Sequence, residues 1–294
     1  MIENQESSMK QTELITNPDG TVFHLHLNNN DISERIIIVG DQDRVDLVAS
    51  FFDSIRFSVR NREFRTVTGT YHGKEVTVMS SGIGTDNIDI LVNELDAAVN
   101  FNLQTREPLS GRKALTIIRL GTSGALQGDL DTGSFVASAR AIGFDSVMNF
   151  YSGIETITDT IFEKAFMDHV GWSSRLGTPY IVDADKELLE RFSGHGIRNG
   201  ITISAPGFYG PQGRTLYIKP FDIMLNDKLE SFSFNNEVIS NYEMESSAIY
   251  GLSRMLGHKA LTICAIIGNR VTGKFLTDYK PAIMDLTRIV LDRI

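Results

Sequence analysis

Four short apolar runs, rich in β-branched residues and separated by stretches with helical spacing, constrain this fold more than any other feature of the sequence. They occupy residues 36–39, 76–79, 115–120 and 261–267. Runs of this length are typical of strands buried on both faces, as in a parallel sheet covered by helices. The sequence therefore predicts an α/β fold, a single domain with a central mixed β-sheet flanked by helices.

Three stretches place apolar side chains along one face of a helix. They cover residues 88–99, residues 244–256 (beginning with Met244) and residues 283–294 (ending with Ile294), and Gly257 is placed to cap the second. Residues 104–113 are charged and include Pro108 and Gly111, which predicts a surface loop. Without an internal repeat, the chain is expected to form one domain of residues 22–294 behind a polar N-terminal extension of residues 1–21.

Charge and cysteine content exclude several classes of function. Lys and Arg total 28 against 37 Asp and Glu, a net charge of −9, which argues against nucleic acid or a membrane surface as partner. No apolar stretch approaches the roughly 18 residues of a membrane-spanning helix. The start of the chain is polar and lacks a secretory signal. The single cysteine, Cys264, lies in an apolar run and suits a reducing compartment, so a cytoplasmic location is expected.

Each apolar run continues into a group that contains glycine, and three of the four groups include an arginine: Arg44, Arg119 or Arg270. Ligands of open α/β sheets bind at the carboxyl ends of strands, where backbone N–H groups and arginine together hold an anion. In an acidic protein, this clustering predicts an anion site, most simply for phosphate. A solvated arginine and an ordinary turn are the alternative at any single position. Arg119 is the hardest to explain that way, because it follows apolar residues and a buried arginine needs a partner.

Residues 208–214, with the sequence FYGPQGR, offer an aromatic face followed by an amide and a guanidinium. Gln212 supplies both a donor and an acceptor, and Arg214 supplies donors only. This set matches a flat heterocycle with alternating carbonyl and N–H groups, such as uracil, stacked on Phe208. A surface loop with incidental polar residues is an equally weighted alternative.

Residues 241–248, with the sequence NYEMESSA, are expected to begin the second helix. Acidic residues in a first helical turn are favoured by the helix dipole, and this is the default explanation. Glu243 and Glu245 do not share a helix face, however, and Met244 belongs to the apolar stripe. Glu245 is therefore free to project into a cleft, where a carboxylate would accept hydrogen bonds from the vicinal hydroxyls of a ribose.

Taken together, these motifs resemble those of the nucleoside phosphorylase superfamily, which includes purine nucleoside phosphorylases, uridine phosphorylases and methylthioadenosine nucleosidases. The similarity is greatest to the uridine branch and extends from about Val22 to the C-terminus. The motifs occur in the family's order: residues 23–25 (FHL), 40–44 (GDQDR), 62–64 (REF), 82–84 (GIG), 119–125 (RLGTSGA), 208–214 (FYGPQGR), 241–246 (NYEMES) and 266–270 (IIGNR). The resemblance implies the nucleoside phosphorylase fold, with a partly barrel-like sheet.

The resemblance also implies the roles of individual residues. The phosphate would be held by Gly40, Arg44, Arg119 and Thr122, joined by Arg62 of a neighbouring subunit. The ribose would be held by Thr122, Met244 and Glu245, joined by His24 of the same neighbour. The base would be held by Phe208, Gln212 and Arg214, with Gly124, Ile267 and Arg270 lining that end. Within this set, the catalytic residues would be Arg119, Gln212, Arg214 and Glu245.

The implied reaction is the reversible phosphorolysis of uridine to uracil and ribose 1-phosphate, with deoxyuridine and thymidine left open as substrates. Inorganic phosphate is the co-substrate, and no cofactor is expected. The implied assembly is a homo-oligomer, at least a dimer and in bacterial relatives commonly a hexamer. Nothing in the sequence decides between dimer and hexamer.

Three alternatives are weighed against this reading. A purine phosphorylase or a nucleosidase would carry an acid shortly after the last core strand, where this chain has Gly268-Asn269-Arg270. A non-catalytic nucleoside-binding protein would not need the retained phosphate arginines. An α/β hydrolase is disfavoured because residues 121–125 lack the second glycine of G-x-S-x-G.

The chain departs from the family pattern in two places. Gln42 stands where the family has proline, and Asp86-Asn87 replaces Pro-Ser. Some bacterial members bind a monovalent cation through residues that match Glu63, Ile83 and Asn87. Because Asn87 differs, no metal is expected here, and a monovalent cation near these three residues is left open as the alternative.

Overall fold

A computed structural model describes residues 9–294, and within them the chain forms thirteen β-strands and seven α-helices. The strands are β1 (Arg35–Val39), β2 (Ser54–Asn61), β3 (Phe64–Tyr71), β4 (Lys74–Ser80), β5 (Phe101–Asn102), β6 (Glu107–Pro108), β7 (Thr116–Ala125), β8 (Phe135–Gly143), β9 (Tyr180–Asp183), β10 (Ile197–Ser204), β11 (Ser233–Phe234), β12 (Glu237–Glu243) and β13 (Lys259–Asn269). The helices are α1 (Gln42–Ala49), α2 (Thr85–Asn100), α3 (Thr160–Val170), α4 (Lys186–Phe192), α5 (Leu225–Ser231), α6 (Ser246–Met255) and α7 (Lys280–Leu291).

The four apolar runs are confirmed as the strands β1, β4, β7 and β13, which lie side by side in the order β4-β1-β7-β13 and run parallel. Their side chains are almost entirely buried, and helices α1, α6 and α7 pack against them. The carboxyl ends of these strands therefore meet at one edge of the sheet.

The eleven-stranded mixed sheet closes on itself over part of its width. Strands β7, β13, β8, β10 and β12 follow one another, and β12 pairs again with β7 in the antiparallel sense, with Tyr242 opposite Gly124. This ring confirms the central mixed, partly barrel-like sheet. Strands β1 to β4 extend it as an open wing.

The three predicted helices exist, with shifted ends. Helix α2 buries the expected face, and Gly257, at φ +77°, follows the C-cap of α6 as predicted. The prediction was wrong for Met244, which precedes α6, and for Ile294, which lies beyond the end of α7. Helix α6 begins only at Ser246 because the chain is still extended in β12 up to Glu243, whose carboxylate then accepts from the backbone N–H groups of Glu245 and Ser246.

Residues 104–113 are largely exposed, as predicted for a loop, although β6 within this region pairs with β5 just before it. The same region contacts the N-terminal segment, since the guanidinium of Arg106 donates hydrogen bonds to the Leu14 carbonyl (2.9 Å) and the Thr16 hydroxyl (3.1 Å). Residues 1–8 of the predicted extension lie outside the described residues. No helix within residues 9–294 has the length and apolar character needed to cross a membrane.

One buried tyrosine supports the ring of strands where the pairing of β8 with β13 stops. The hydroxyl of Tyr250, on α6, donates to the Ser138 carbonyl (2.7 Å) and accepts from the Thr262 N–H (2.8 Å). Both backbone groups would lose their partner if this hydroxyl were removed.

We therefore expect Tyr250→Phe to lower the free energy of unfolding by about 2 kcal/mol, because two buried backbone groups are left unsatisfied. Tyr217→Phe, at a fully exposed tyrosine, is the matched control and should change nothing measurable. Urea denaturation of both variants checks this. Equal stability of the two variants would contradict the assigned role of Tyr250.

Candidate active site

A cleft of about 500 Å³ opens at the carboxyl ends of the central strands. Its volume suits a small ligand such as a nucleoside together with an anion. The structure brings twelve of the predicted site residues to its wall: Gly40, Arg44, Arg119, Thr122, Gly124, Phe208, Gln212, Arg214, Met244, Glu245, Ile267 and Arg270.

Two predicted site residues, His24 and Arg62, do not line this cleft. They lie close to each other instead. The side chain of Asn61 donates to the His24 carbonyl (2.7 Å), and the Arg62 guanidinium is 5.8 Å from the centre of the Phe23 ring. A role for either residue in the cleft of a neighbouring subunit stays a prediction.

The centre of the cleft is a buried cluster of one arginine and two glutamates. The guanidinium of Arg119 donates to Glu245 and lies 3.3 Å from a carboxylate oxygen of Glu243. All three side chains are at most 5% exposed. Glu243 is fully engaged, since it accepts from the Ser204 hydroxyl and from the backbone N–H groups of Glu245 and Ser246.

Local backbone geometry explains how these three residues meet. Arg119 was expected near the end of a strand, but β7 continues past it to Ala125, so Arg119 lies in mid-strand. A Cβ atom at Gly121 would come within 2.8 Å of Cys264 Sγ and against the Arg119 guanidinium, so only glycine leaves room for that side chain. Because β12 runs antiparallel to β7, its last residues return toward Arg119.

The expected placement of the glutamates in a first helical turn was wrong. Glu243 ends β12, and Glu245 is the N-cap residue of α6. Their charges are set by burial and by each other. Burial raises the pKa of Glu245, Arg119 opposes this, and Glu243 adds to it. Burial would by itself lower the pKa of Arg119, but Glu245 and then Glu243 raise it, so the arginine stays protonated.

At one end of the cleft lies the turn after β1, where an anion site is predicted. Asp41 caps α1 by accepting from the backbone N–H of Arg44 (2.9 Å), and it also pairs with the Arg44 guanidinium (2.8 Å). A Cβ atom on Gly40 would lie 3.8 Å from that guanidinium. Glycine thus keeps the strand end open beside a cation and a helix N-terminus, a combination that holds anions.

At the other end, two arginines converge on one amide. The side chains of Arg214 and Arg270 both donate to the carbonyl oxygen of Gln212, at 2.6 Å and 3.2 Å. Arg214 stacks on Phe208, 3.6 Å from the ring centre, and Arg270 lies 5.5 Å from the centre of the Tyr242 ring. Each guanidinium therefore rests on an aromatic face.

This end of the cleft carries positive charge without a balancing acid. Among the described residues that line the cleft, the carboxylates are Asp41, Glu243 and Glu245, and these belong to the anion site and the central cluster. Burial and then the charge of Arg270 lower the pKa of Arg214 to about 10. Burial likewise lowers the pKa of Arg270. Such a surface favours a ligand that presents oxygen acceptors or gains negative charge.

The structure adds residues that the sequence prediction missed. Tyr242 and Asp41 lie inside motifs that drew attention for other residues, so their positions could have been found. Lys274 and Phe275 reach the cleft because the chain turns back after β13, with the Asn269 N–H donating to the Lys274 carbonyl (2.9 Å). No spacing in the sequence indicates that reversal.

The residues that match a cation site in some relatives are neighbours here. A Cβ atom on Gly82 would lie 3.1 Å from Glu63 Cγ, and the Asn87 amide nitrogen donates to the Ile83 carbonyl (3.4 Å). Asn87 thus directs a donor at a carbonyl oxygen that a cation would need. The expectation that no metal binds here stays a prediction, and no chemical step is assigned to one.

Comparison with known proteins identifies a matching family and several relatives of this chain. A family model described as the phosphorylase superfamily matches residues 34–292. A uridine phosphorylase of Thermococcus kodakarensis is 28% identical over 87% of this chain and 80% of its own length. A guanosine phosphorylase of Halorubrum lacusprofundi is also 28% identical, over 85% of this chain and 84% of its own.

Among solved structures, a nucleoside phosphorylase of Trypanosoma brucei superposes with a TM-score of 0.86. It is 31% identical, and the match covers 95% of this chain and 98% of the other. The description of that structure states that the protein shows uridine phosphorylase activity. The fold and the layout of the sheet are therefore shared along nearly the whole chain.

The central cluster generates a prediction for stability. Arg119→Met would leave two buried carboxylates without a counter-charge, and we expect a loss of about 3–5 kcal/mol at pH 7. Arg44→Met, at a partly exposed pair, should cost under about 1 kcal/mol. Urea denaturation of both variants measures the difference.

The deficit of Arg119→Met should depend on pH. Burial already raises the pKa of Glu245, and removing the arginine that opposes this raises it further above its unfolded value, so stability is lost as pH rises above the unfolded value. The deficit should consequently shrink near pH 4.5. A deficit that is equal at acidic and neutral pH, or no larger than that of Arg44→Met, would contradict the cluster's assigned electrostatics.

Proposed function

The chain belongs to the phosphorylase superfamily, and we propose that it is a uridine phosphorylase, a pentosyltransferase that converts uridine and phosphate reversibly to uracil and ribose 1-phosphate. The observation that carries this proposal is the end of the cleft formed by Gln212, Arg214 and Arg270. It offers an amide and two guanidinium groups over aromatic rings, and the described residues that line it include no acid.

The absence of an acid at this end separates the pyrimidine from the purine reading. A departing purine is protonated on its ring, which requires a nearby acid, whereas a departing uracil spreads negative charge over its oxygens and accepts hydrogen bonds. Overall identity does not make this distinction, because the uridine and guanosine phosphorylases are both 28% identical to this chain. The activity stated for the 31% identical Trypanosoma brucei protein supports the pyrimidine reading.

In the proposed reaction, phosphate attacks C1′ of the ribose from the face opposite the base, with inversion. The transition state resembles an oxocarbenium ion, as in glycoside hydrolysis. Arg44, Arg119 and the backbone at Gly40 would hold the phosphate, together with the Thr122 hydroxyl. Arg62 of a neighbouring subunit would complete this set. No covalent nucleophile of the protein is needed, so the protein contributes positioning and electrostatic stabilisation.

Glu245 and Met244 would hold the ribose. The carboxylate of Glu245 is itself fixed by Arg119 and by the Gly84 N–H (2.8 Å), so it presents its remaining lone pairs in one direction. Vicinal 2′- and 3′-hydroxyls donate to such a group. His24 of the neighbouring subunit would approach the ribose from the other side, because it does not line the cleft of its own chain.

Gln212, Arg214 and Arg270 would stabilise the negative charge that develops on the departing uracil, with Phe208 stacked on the ring and Gly124 and Ile267 beside it. Each such contact gains strength in the transition state and is worth on the order of 3 kcal/mol, or about a hundredfold in rate. Because this charge develops only as the bond breaks, the effect should appear in kcat.

The proposal includes the setting of the enzyme. Inorganic phosphate is its second substrate and no cofactor is required. The enzyme functions as a homo-oligomer of at least two subunits in the salvage or breakdown of pyrimidine nucleosides. A cytoplasmic location is proposed with it, supported by a free and buried Cys264. A purine phosphorylase, a nucleosidase and a non-catalytic binding protein are the alternatives to be tested.

The first test follows cleavage of uridine and inosine by ultraviolet absorbance, each with and without phosphate. We expect loss of uridine only when phosphate is present, and no loss of inosine. Inosine cleavage would contradict the reading of Gln212 and Arg214. Cleavage without phosphate would identify a nucleosidase, and no turnover of either substrate would favour a binding protein.

The second test examines the leaving group. Arg214→Ala should lower kcat for uridine about a hundredfold, because one transition-state contact is lost. The loss should be smaller for 5-fluorouridine, whose base departs more easily as an anion. Arg198→Ala, at an exposed arginine paired with Asp129, is the control and should leave both rates unchanged. Equal losses for the two nucleosides would refute the leaving-group role.

A further inference from the structure

Glu94, in the middle of α2, makes a set of contacts outside the cleft that the proposed reaction does not yet use. Its carboxylate accepts from the backbone N–H groups of His24 and Leu25 (both 2.9 Å) and lies 2.6 Å from Nδ1 of the His24 ring. The Glu94 side chain is 13% exposed and the His24 side chain 26%. A mostly buried carboxylate is thus devoted to a single residue and its neighbour.

The backbone around His24 is fixed by hydrogen bonds and by buried neighbouring side chains. Residues 22–27 form a closed turn, in which the Val22 N–H donates to the Leu27 carbonyl (2.9 Å). Val22, Leu25 and Leu27 are buried in the core. The carbonyl of His24 accepts from the Asn61 side chain (2.7 Å), so both backbone groups of His24 are satisfied on opposite sides.

The chemistry of the contact determines that the ring nitrogen facing Glu94 carries a hydrogen. An ionised carboxylate only accepts hydrogen bonds, so the imidazole nitrogen that faces it must carry the hydrogen. With the hydrogen on Nδ1, the neutral ring directs the lone pair of Nε2 away from Glu94. A second residue that fixes tautomer and orientation in this way is a familiar arrangement for functional histidines.

We propose that Glu94 is a positioning residue that holds His24 as the Nδ1–H tautomer and presents Nε2 as an acceptor to the nucleoside in a neighbouring subunit's cleft. This inference rests on the proposed function. In that reaction C1′ is the reacting centre and the 2′- and 3′-hydroxyls are assigned to Glu245. The 5′-hydroxyl is the remaining donor of the ribose, and it is the group that His24 would bind.

The position of Glu94 on α2 adds to this inference. The helix is anchored at its start, where the Gly84 N–H donates to Glu245 in the cleft of its own chain. Glu94 follows ten residues later, a rise of about 15 Å, and the adjacent residues Leu91 and Leu95 are fully buried. The imidazole is thus held by a rigid element and not by a loop alone.

The kinetic test compares uridine with 5′-deoxyuridine, which lacks the 5′-hydroxyl. In the wild type, kcat/KM should favour uridine on the order of tenfold, the value of one net hydrogen bond. Both His24→Ala and Glu94→Ala should bring this ratio close to one while phosphorolysis of 5′-deoxyuridine continues. Glu94→Ala in the His24→Ala background should have no further effect on the ratio, because the two residues act as one unit.

A purely structural role would give a different result. Asn93→Ala, which removes a side chain on the same helix that contacts Asp89 and Tyr151, is the control and should leave the ratio at its wild-type value. If Glu94→Ala lowers kcat/KM equally for both nucleosides, Glu94 only stabilises the turn and the proposal is wrong. Glu94→Gln keeps the packing and replaces the alanine variant if that variant does not fold. It should also lower the ratio of kcat/KM for uridine to kcat/KM for 5′-deoxyuridine.

A second readout does not depend on catalysis. Nitrogen NMR of histidine-labelled protein at pH 8, above the usual titration range of histidine, should report the Nδ1–H tautomer for His24, assigned by its loss in His24→Ala. In Glu94→Ala the signal should move to the Nε2–H form. An Nε2–H ring in the wild type overturns the proposal about Glu94. Failure to cleave uridine, with the tautomer as expected, would instead refute the proposed function.

Discussion

The buried contact of Arg119 with Glu243 and Glu245 is the interaction on which the rest of the structure depends. Burying three charges costs more free energy than their attraction returns unless most of their polar atoms find partners. Here the partners come from β7, from the end of β12, from the Ser204 hydroxyl and from the Gly84 N–H. The closure of the five-stranded ring and the starts of α2 and α6 are therefore held in one arrangement by the same charges.

The two ends of the cleft, on either side of this centre, differ in whether their arginines are balanced by a carboxylate. Near Gly40, an arginine is balanced by Asp41 and stands beside a helix N-terminus. Near Gln212, two arginines rest on aromatic rings without a balancing carboxylate among the described lining residues. In a phosphorolysis, negative charge arrives with phosphate and leaves with the base. Under the proposed assignment, the second end keeps its positive charge unbalanced for the anion that would form there.

The sequence allowed the main strands, the cleft and most of its wall to be predicted, because apolar runs and glycine–arginine motifs report burial and backbone access directly. It misplaced Arg119 and Glu243 for physical reasons. The glycines after Arg119 suggested a turn, whereas they extend a strand past a large buried side chain. Helical spacing continued through Met244, although strand β12 extends to Glu243 and the helix begins only at Ser246. Phe275 depends on a reversal of the chain that no local pattern encodes.

His24 and Arg62 lie outside the cleft of their own chain, and this has a consequence for a site of the proposed kind. The number of complete sites is governed by mass action, because a complete site exists only while two chains are associated. The activity per molecule would fall on dilution even though each chain remains folded. A chain in which His24 is defective would impair its neighbour's site and not its own. In a mixed assembly, the substitution would therefore be in one chain and the loss of activity in the cleft of the other.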